Sequence, residues 1–169
     1  SATVAITGGL DSVHDVLAFA NDGSTMGNIT ASYNGATGVM TLTSAGATAT
    51  LAQWQSALRS VTYTDTAVTP DTTTRTISFT AVDGAGNTSA TATRTVTVTD
   101  TDQTTILTTT GGTTNYVGAS TGVTIDSGVS VSDLDNTTQT SGAVSIGTGF
   151  HSGDVLSFTN DGSTMGNIK

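Results

Sequence analysis

Residues 15–29, DVLAFANDGSTMGNI, return with two changes as DVLSFTNDGSTMGNI at 154–168, a spacing of 139. Upstream, SATVAITGGL at 1–10 resembles SGAVSIGTGF at 141–150 at a spacing of 140, so one residue has been gained or lost between the two blocks. A period near 140 is too long for the coil of a solenoid and matches the length of a whole domain. The expectation is one full period followed by the first 29 or so residues of the next. Residues 1–102 then form a module lacking its N-terminal strands, residues 103–169 the N-terminal part of the following module, and the sequence opens and closes partway through a module. The boundary is expected near Asp102 and Gln103, where TVTVTD gives way to TDQTTILTTTGGTTNY.

Within the period, alternation of apolar and polar residues marks strands at 2–7 (ATVAIT), 15–20 (DVLAFA), 29–33 (ITASY), 38–43 (GVMTLT), 60–66 (SVTYTDT), 75–82 (RTISFTAV) and 92–99 (ATRTVTVT), resuming at 122–133 (GVTIDSGVSVSD). Thr makes up about a quarter of the chain while Glu is absent and Lys occurs only as Lys169, a composition that favours pleated surfaces over helical ones. The fold class is therefore all-β. One segment departs from the pattern. TLAQWQSALRS at 50–60 sets Leu51, Trp54 and Leu58 on one helical face, with Thr50 and Gln53 spaced as a capping box, and predicts a short helix in which Trp54 plugs the core. The repeated Asn21, Asp22 and Gly23 (Asn160, Asp161 and Gly162 in the second copy) read as a hairpin turn.

The formal charge is −9, with three arginines and one lysine, which leaves no basic footprint for nucleic acid or for an anionic membrane surface. No stretch is long and apolar enough to span a membrane. With no cysteine there are no disulfides and no thiolate metal sites.

The segments TLAQWQSALRSVTYTDT, RTISFTAVDGAGNTSATATRTVTVTD and VTIDSGVSVSDLDNTTQTSGAVSIG together resemble the tandem cadherin-like, immunoglobulin-type repeats of giant bacterial surface adhesins, many exported by type I secretion. The resemblance implies a β-sandwich module repeated along an extracellular stalk at the bacterial surface, with calcium stiffening the junctions and neighbouring copies of the module as partners. The chain departs from that pattern in two respects. It has no glycine-rich calcium nonapeptide of the RTX type, and it lacks the Glu that eukaryotic cadherin linkers use, so ligand positions do not transfer from them.

All thirteen acidic residues are Asp, the short carboxylate suited both to turns and to hard cations. Asp100 and Asp102 fall in VTDTDQ at the expected junction, where alternation points both carboxylates to one side. Asp133, Asp135 and Asn136 form a second oxygen-rich cluster, and Asp83 with Asn87 a third; the alternative for each is an Asx-turn or a solvated loop tip. These are the candidate Ca²⁺ positions. Catalysis is not expected. His14 directly precedes its Asp while His151 lies three before its own, so no histidine repeats, and no serine sits in a nucleophile elbow. Two further functions stay open on the residues. One is a self-assembling filament, sheath or surface-layer subunit completed by strand exchange between chains; the other is a carbohydrate- or surface-binding module, for which exposed aromatics are scarce.

Overall fold

The computed structural model describes residues 1–118 and 121–169 and divides into two compact units, Ser1–Asp135 and Asn136–Lys169. The expected boundary at Asp102 and Gln103 lies inside the first unit.

The first unit is built from antiparallel strands. β1 (Ala2–Gly8), β2 (Asp15–Ala18), β3 (Ile29–Asn34) and β4 (Val39–Ser44) precede helix α1 (Leu51–Arg59). β5 (Thr62–Asp65), β6 (Arg75–Ala81), β7 (Ala92–Val96), β8 (Ile106–Thr108) and β9 (Ser130–Ser132) follow it. Five strands form one sheet in the order β3-β4-β1-β6-β7; β2 pairs with β5, and β8 with β9. The all-β class follows directly. Within β1 the period of two sends Ala2, Val4 and Ile6 inward, and the register sets Val4 opposite Met40 of β4 and Phe79 of β6. Leu17 of β2, Met26 from the connection between β2 and β3, Ile29 of β3, Met40 and Leu42 of β4, Ile77 of β6 and Ala57 of α1 complete one buried cluster with them. Each fully buried Leu, Ile or Met contributes about 1.5–3 kcal/mol relative to exposure.

Helix α1 starts where the capping box predicts. Thr50 Oγ1 accepts the Gln53 N–H at 3.3 Å, and Gln53 Oε1 accepts the Thr50 N–H at 2.9 Å. Its buried face differs from the expected one. Leu51 is 89 % exposed, Ala57 is the fully buried residue, and Trp54 and Leu58 pack against the core half-buried. Leu51 is the first helical residue, and the inward stripe begins one turn later. Ala57 is the helix's contribution to the buried cluster.

Three further segments depart from the sequence reading. The strand expected over 92–99 ends at Val96, so no ladder holds Asp100 and Asp102 to one side. Of 122–133 only Ser130–Ser132 is extended and paired. The NDGSTMGNI loop joins β2 to β3, which lie in different sheets, so it is a crossing between sheets and not a hairpin turn.

Candidate functional site

The loop at 21–29 is held by its own side chains. Asn21 Nδ2 donates to the Gly27 and Ile29 carbonyls at 2.9 Å, while Asn21 Oδ1 accepts the Gly23 N–H at 2.8 Å. Asp22 accepts from Ser24 N–H, Thr25 N–H and the Thr25 hydroxyl, and these bonds, the hydroxyl's foremost, hold its carboxyl well below the usual range. Gly27 has φ +57° with the Gln53 side chain 2.8 Å from where a Cβ would sit, so the loop also abuts the helix start. The second copy closes the same way. Asn160 donates to Gly166 and Ile168, Asp161 takes Ser163 and Thr164, and Gly166 again has φ +57°. Every carboxylate and amide oxygen named here is engaged within its own loop, which identifies a folding motif.

The candidate calcium residues divide into three groups. Asp83 accepts the Ala85 and Asn87 N–H groups at 2.9 Å and Asn87 Nδ2 at 3.0 Å, closing the connection between β6 and β7. The Asn87 side chain is the largest cause of its lowered pKa. Asp100 lines an open depression with Asp65, Val68, Pro70 and Val98. Asp133, two residues away, and Asp102, more than 30 residues earlier in the sequence, both lie within electrostatic range of Asp135 where the β8–β9 pair begins. Asp135 Oδ2 accepts the Gln103 N–H at 2.7 Å, Asp133 Oδ2 accepts the Thr105 hydroxyl at 2.7 Å, and Asp133 Oδ1 accepts the Asp135 N–H at 3.2 Å. The Gln103 N–H pulls the Asp135 pKa down. A hydrogen bond with the Asp133 carboxyl, partial desolvation and the charges of Asp133 and Asp102 outweigh it, and the net shift is upward. Asn136 opens the second unit. Among the described residues no three carboxylates or histidines are grouped closely enough to hold a metal ion. The oxygen donors and the neighbouring charges suit a hard cation in chemistry.

The most specific polar arrangement was not anticipated from the sequence. Arg75, on β6, is fully buried, and its Nε donates to Asp15 Oδ2 on β2 at 2.8 Å. Its Nη2 lies 3.2 Å from Asp65 Oδ2 on β5, and Nη1 donates to the carbonyls of Asp71 (3.0 Å) and Thr73. Asp15 also accepts the Tyr63 hydroxyl at 2.5 Å and the Asp11 N–H at 2.8 Å, while Tyr33 donates to the Asp15 carbonyl at 2.9 Å. Burial first, then Asp15, raises both tyrosine pKa values, and the Asp15 hydrogen bond raises that of Arg75. Among the described residues no buried side-chain polar atom lacks a partner. The cluster ties β2 and β5 to β6. A signal was present in the sequence: Arg75 alternates with Ile77 and Phe79, and Asp15 with Leu17 and Phe19, so each charge sits on an inward-facing position and requires a partner.

No protein-family model, no curated protein and no solved structure matches this chain.

Proposed function

We infer that the chain is a structural extender of an extracellular bacterial adhesin or fibre, an immunoglobulin- or cadherin-like β-sandwich module repeated along a stalk. The observation that carries the reading is the domain-length repeat, in which one sequence builds one loop geometry twice. Repetition at that period supplies length. The polar groups described above support the same reading, because they are consumed in holding strands and loops together. Calcium at Asp102, Asp133 and Asp135 is part of the proposal, with Asp100 and Asp83 as further candidates. Two neighbouring carboxylates that repel one another are a place where a cation can offset the repulsion, drawing the β8–β9 segment onto residues 102–105.

The test is thermal melting and small-angle scattering of the protein in millimolar calcium and again in chelator. The expected result is a higher melting temperature and a longer maximum dimension with calcium. Identical melting and scattering in both conditions would remove the cation from the mechanism.

A further inference from the structure

Asn34 and Gly35 form the only Asn–Gly pair in the sequence. Asn34 ends β3, opposite Val39 of β4, and Gly35 begins the turn that joins the two strands. Asparagine is chemically labile, because the backbone nitrogen of the following residue can attack its side-chain carbonyl carbon. Three conditions govern that attack: an electrophilic carbon, an uncommitted nitrogen, and a following residue too small to crowd the approach.

This turn meets all three. Asn34 Oδ1 accepts the Ala36 N–H at 3.1 Å, a bond that polarises the amide carbonyl and strengthens as negative charge gathers on its oxygen. Among the described residues the Gly35 N–H donates to no acceptor, although the Gly35 carbonyl takes the Gly38 N–H at 3.3 Å. Gly35 has no Cβ, and Asn34 is exposed, so water reaches whatever forms there. The three Asp–Gly pairs are held differently. Asp22 accepts from Ser24 and Thr25, Asp83 from Ala85 and Asn87, and Asp161 from Ser163 and Thr164. Those bonds keep each carboxyl below the ordinary range and therefore ionised, and an ionised carboxylate has no good leaving group to expel.

We propose that Asn34 is a self-modifying position, at which the Gly35 nitrogen closes on the Asn34 side chain in the folded protein and converts the amide to an acid. The nitrogen bonds to Asn34 Cγ and gives up its proton, the Cγ–Nδ2 bond breaks, and ammonia leaves a five-membered succinimide. Water then adds to either ring carbonyl, and the ring C–N bond at that carbon opens. Opening at Cγ yields an aspartyl residue at position 34; opening at the backbone carbonyl yields an isoaspartyl linkage that runs through Cβ. The net reaction consumes one water and releases one ammonia, with no oxidant or reductant. Either product adds a negative charge to a chain already at −9. The isoaspartyl form also lengthens the backbone by one atom and turns the Asn34 carbonyl, which accepts the Thr37 N–H at 3.3 Å, into a free carboxylate. The slackened end of β3 is the one whose Tyr33 hydroxyl donates to the Asp15 carbonyl at 2.9 Å. The inference rests neither on calcium nor on the stalk reading.

The test incubates the full-length chain in neutral buffer made with heavy-oxygen water, once folded and once in urea. Fragmentation mass spectrometry that separates aspartyl from isoaspartyl residues then reads each site. Asn34 of the folded chain is expected to convert to both forms with uptake of one heavy oxygen, at a rate within tenfold of that in urea. Isomerisation of Asp22 and Asp83 should be at least tenfold slower folded than in urea. Gly35→Ala should slow conversion at Asn34 at least tenfold in both solvents. A Cβ at that position lies 3.7 Å from the Tyr33 ring and 3.9 Å from the Ser12 carbonyl, both ordinary contacts, so the folded variant should keep its melting midpoint. In the isoaspartyl fraction the Thr37 and Gly38 amides should exchange faster than in the fresh chain. Conversion at Asn34 suppressed more than tenfold by folding, a rate in urea unaffected by Gly35→Ala, or unchanged exchange at Thr37 and Gly38 would overturn the proposal.

Discussion

Replacing Arg75 with Met tests the buried ion cluster most sharply. The change removes the donors to Asp15 and Asp65, and those to the Asp71 and Thr73 carbonyls, while leaving the apolar stem in place. Asp15 is 2 % exposed and would keep only the Tyr63 hydroxyl and the Asp11 N–H. Breaking a buried pair from one side costs about 3–5 kcal/mol, because the remaining charge is stranded. In a unit of this size that lowers the melting midpoint by roughly 10 °C or more. Urea unfolding followed by the fluorescence of Trp54, the only tryptophan, reads the loss directly. The partner variant Asp15→Asn should also destabilise, but Asp15→Asn with Arg75→Met should cost about 2 kcal/mol less than the sum of the two, since the stranded charge is gone. A loss below about 1 kcal/mol for Arg75→Met, or strict additivity, would refute the reasoning.

Three other outcomes follow from the geometry. Thr50→Ala should cost about 0.5–2 kcal/mol through loss of the capping box, whereas Leu51→Gln, at an exposed position, should leave the same urea midpoint within about 0.5 kcal/mol. Leu42→Ala, in the middle of the core, should cost about 2–5 kcal/mol by the same assay. Asp135 binds its proton more tightly folded than unfolded, so its contribution is fully present below the ordinary carboxylate pKa and is lost as pH rises through the raised value. Asp135→Asn should abolish that pH dependence in amide exchange across β8 and β9, and an unaltered profile would count against the Asp133–Asp135 contact.

What the sequence disclosed and what it hid have physical reasons. β1, β4 and β6 were legible because one face is buried and the other less so, so period-two alternation is written into the residues. Helix α1 was legible from Thr50 and Gln53, whose capping bonds are local, but its inward face was not, since Leu51 satisfies the spacing and misses the core. The end of β7 was illegible because TVTVT alternates whether or not a neighbour pairs with it. The loop at 21–29 carries turn residues, yet which strands it joins is decided by tertiary pairing, and β2 finds β5 at a distance of more than 40 residues. The convergence of Asp102 with Asp133 and Asp135, and of Asp15 with Arg75, is likewise long-range. In the second case the inward placement of a charge was visible, and only its partner was not.

Hydrogen exchange with and without calcium, resolved by residue, tests the functional account most directly. The account predicts that calcium slows exchange at Gln103, Thr105, β8, β9 and Asp135, where the carboxylates gather, and leaves β1, β4 and β6 unchanged. Exchange that is identical in calcium and in chelator across 100–135 would contradict it.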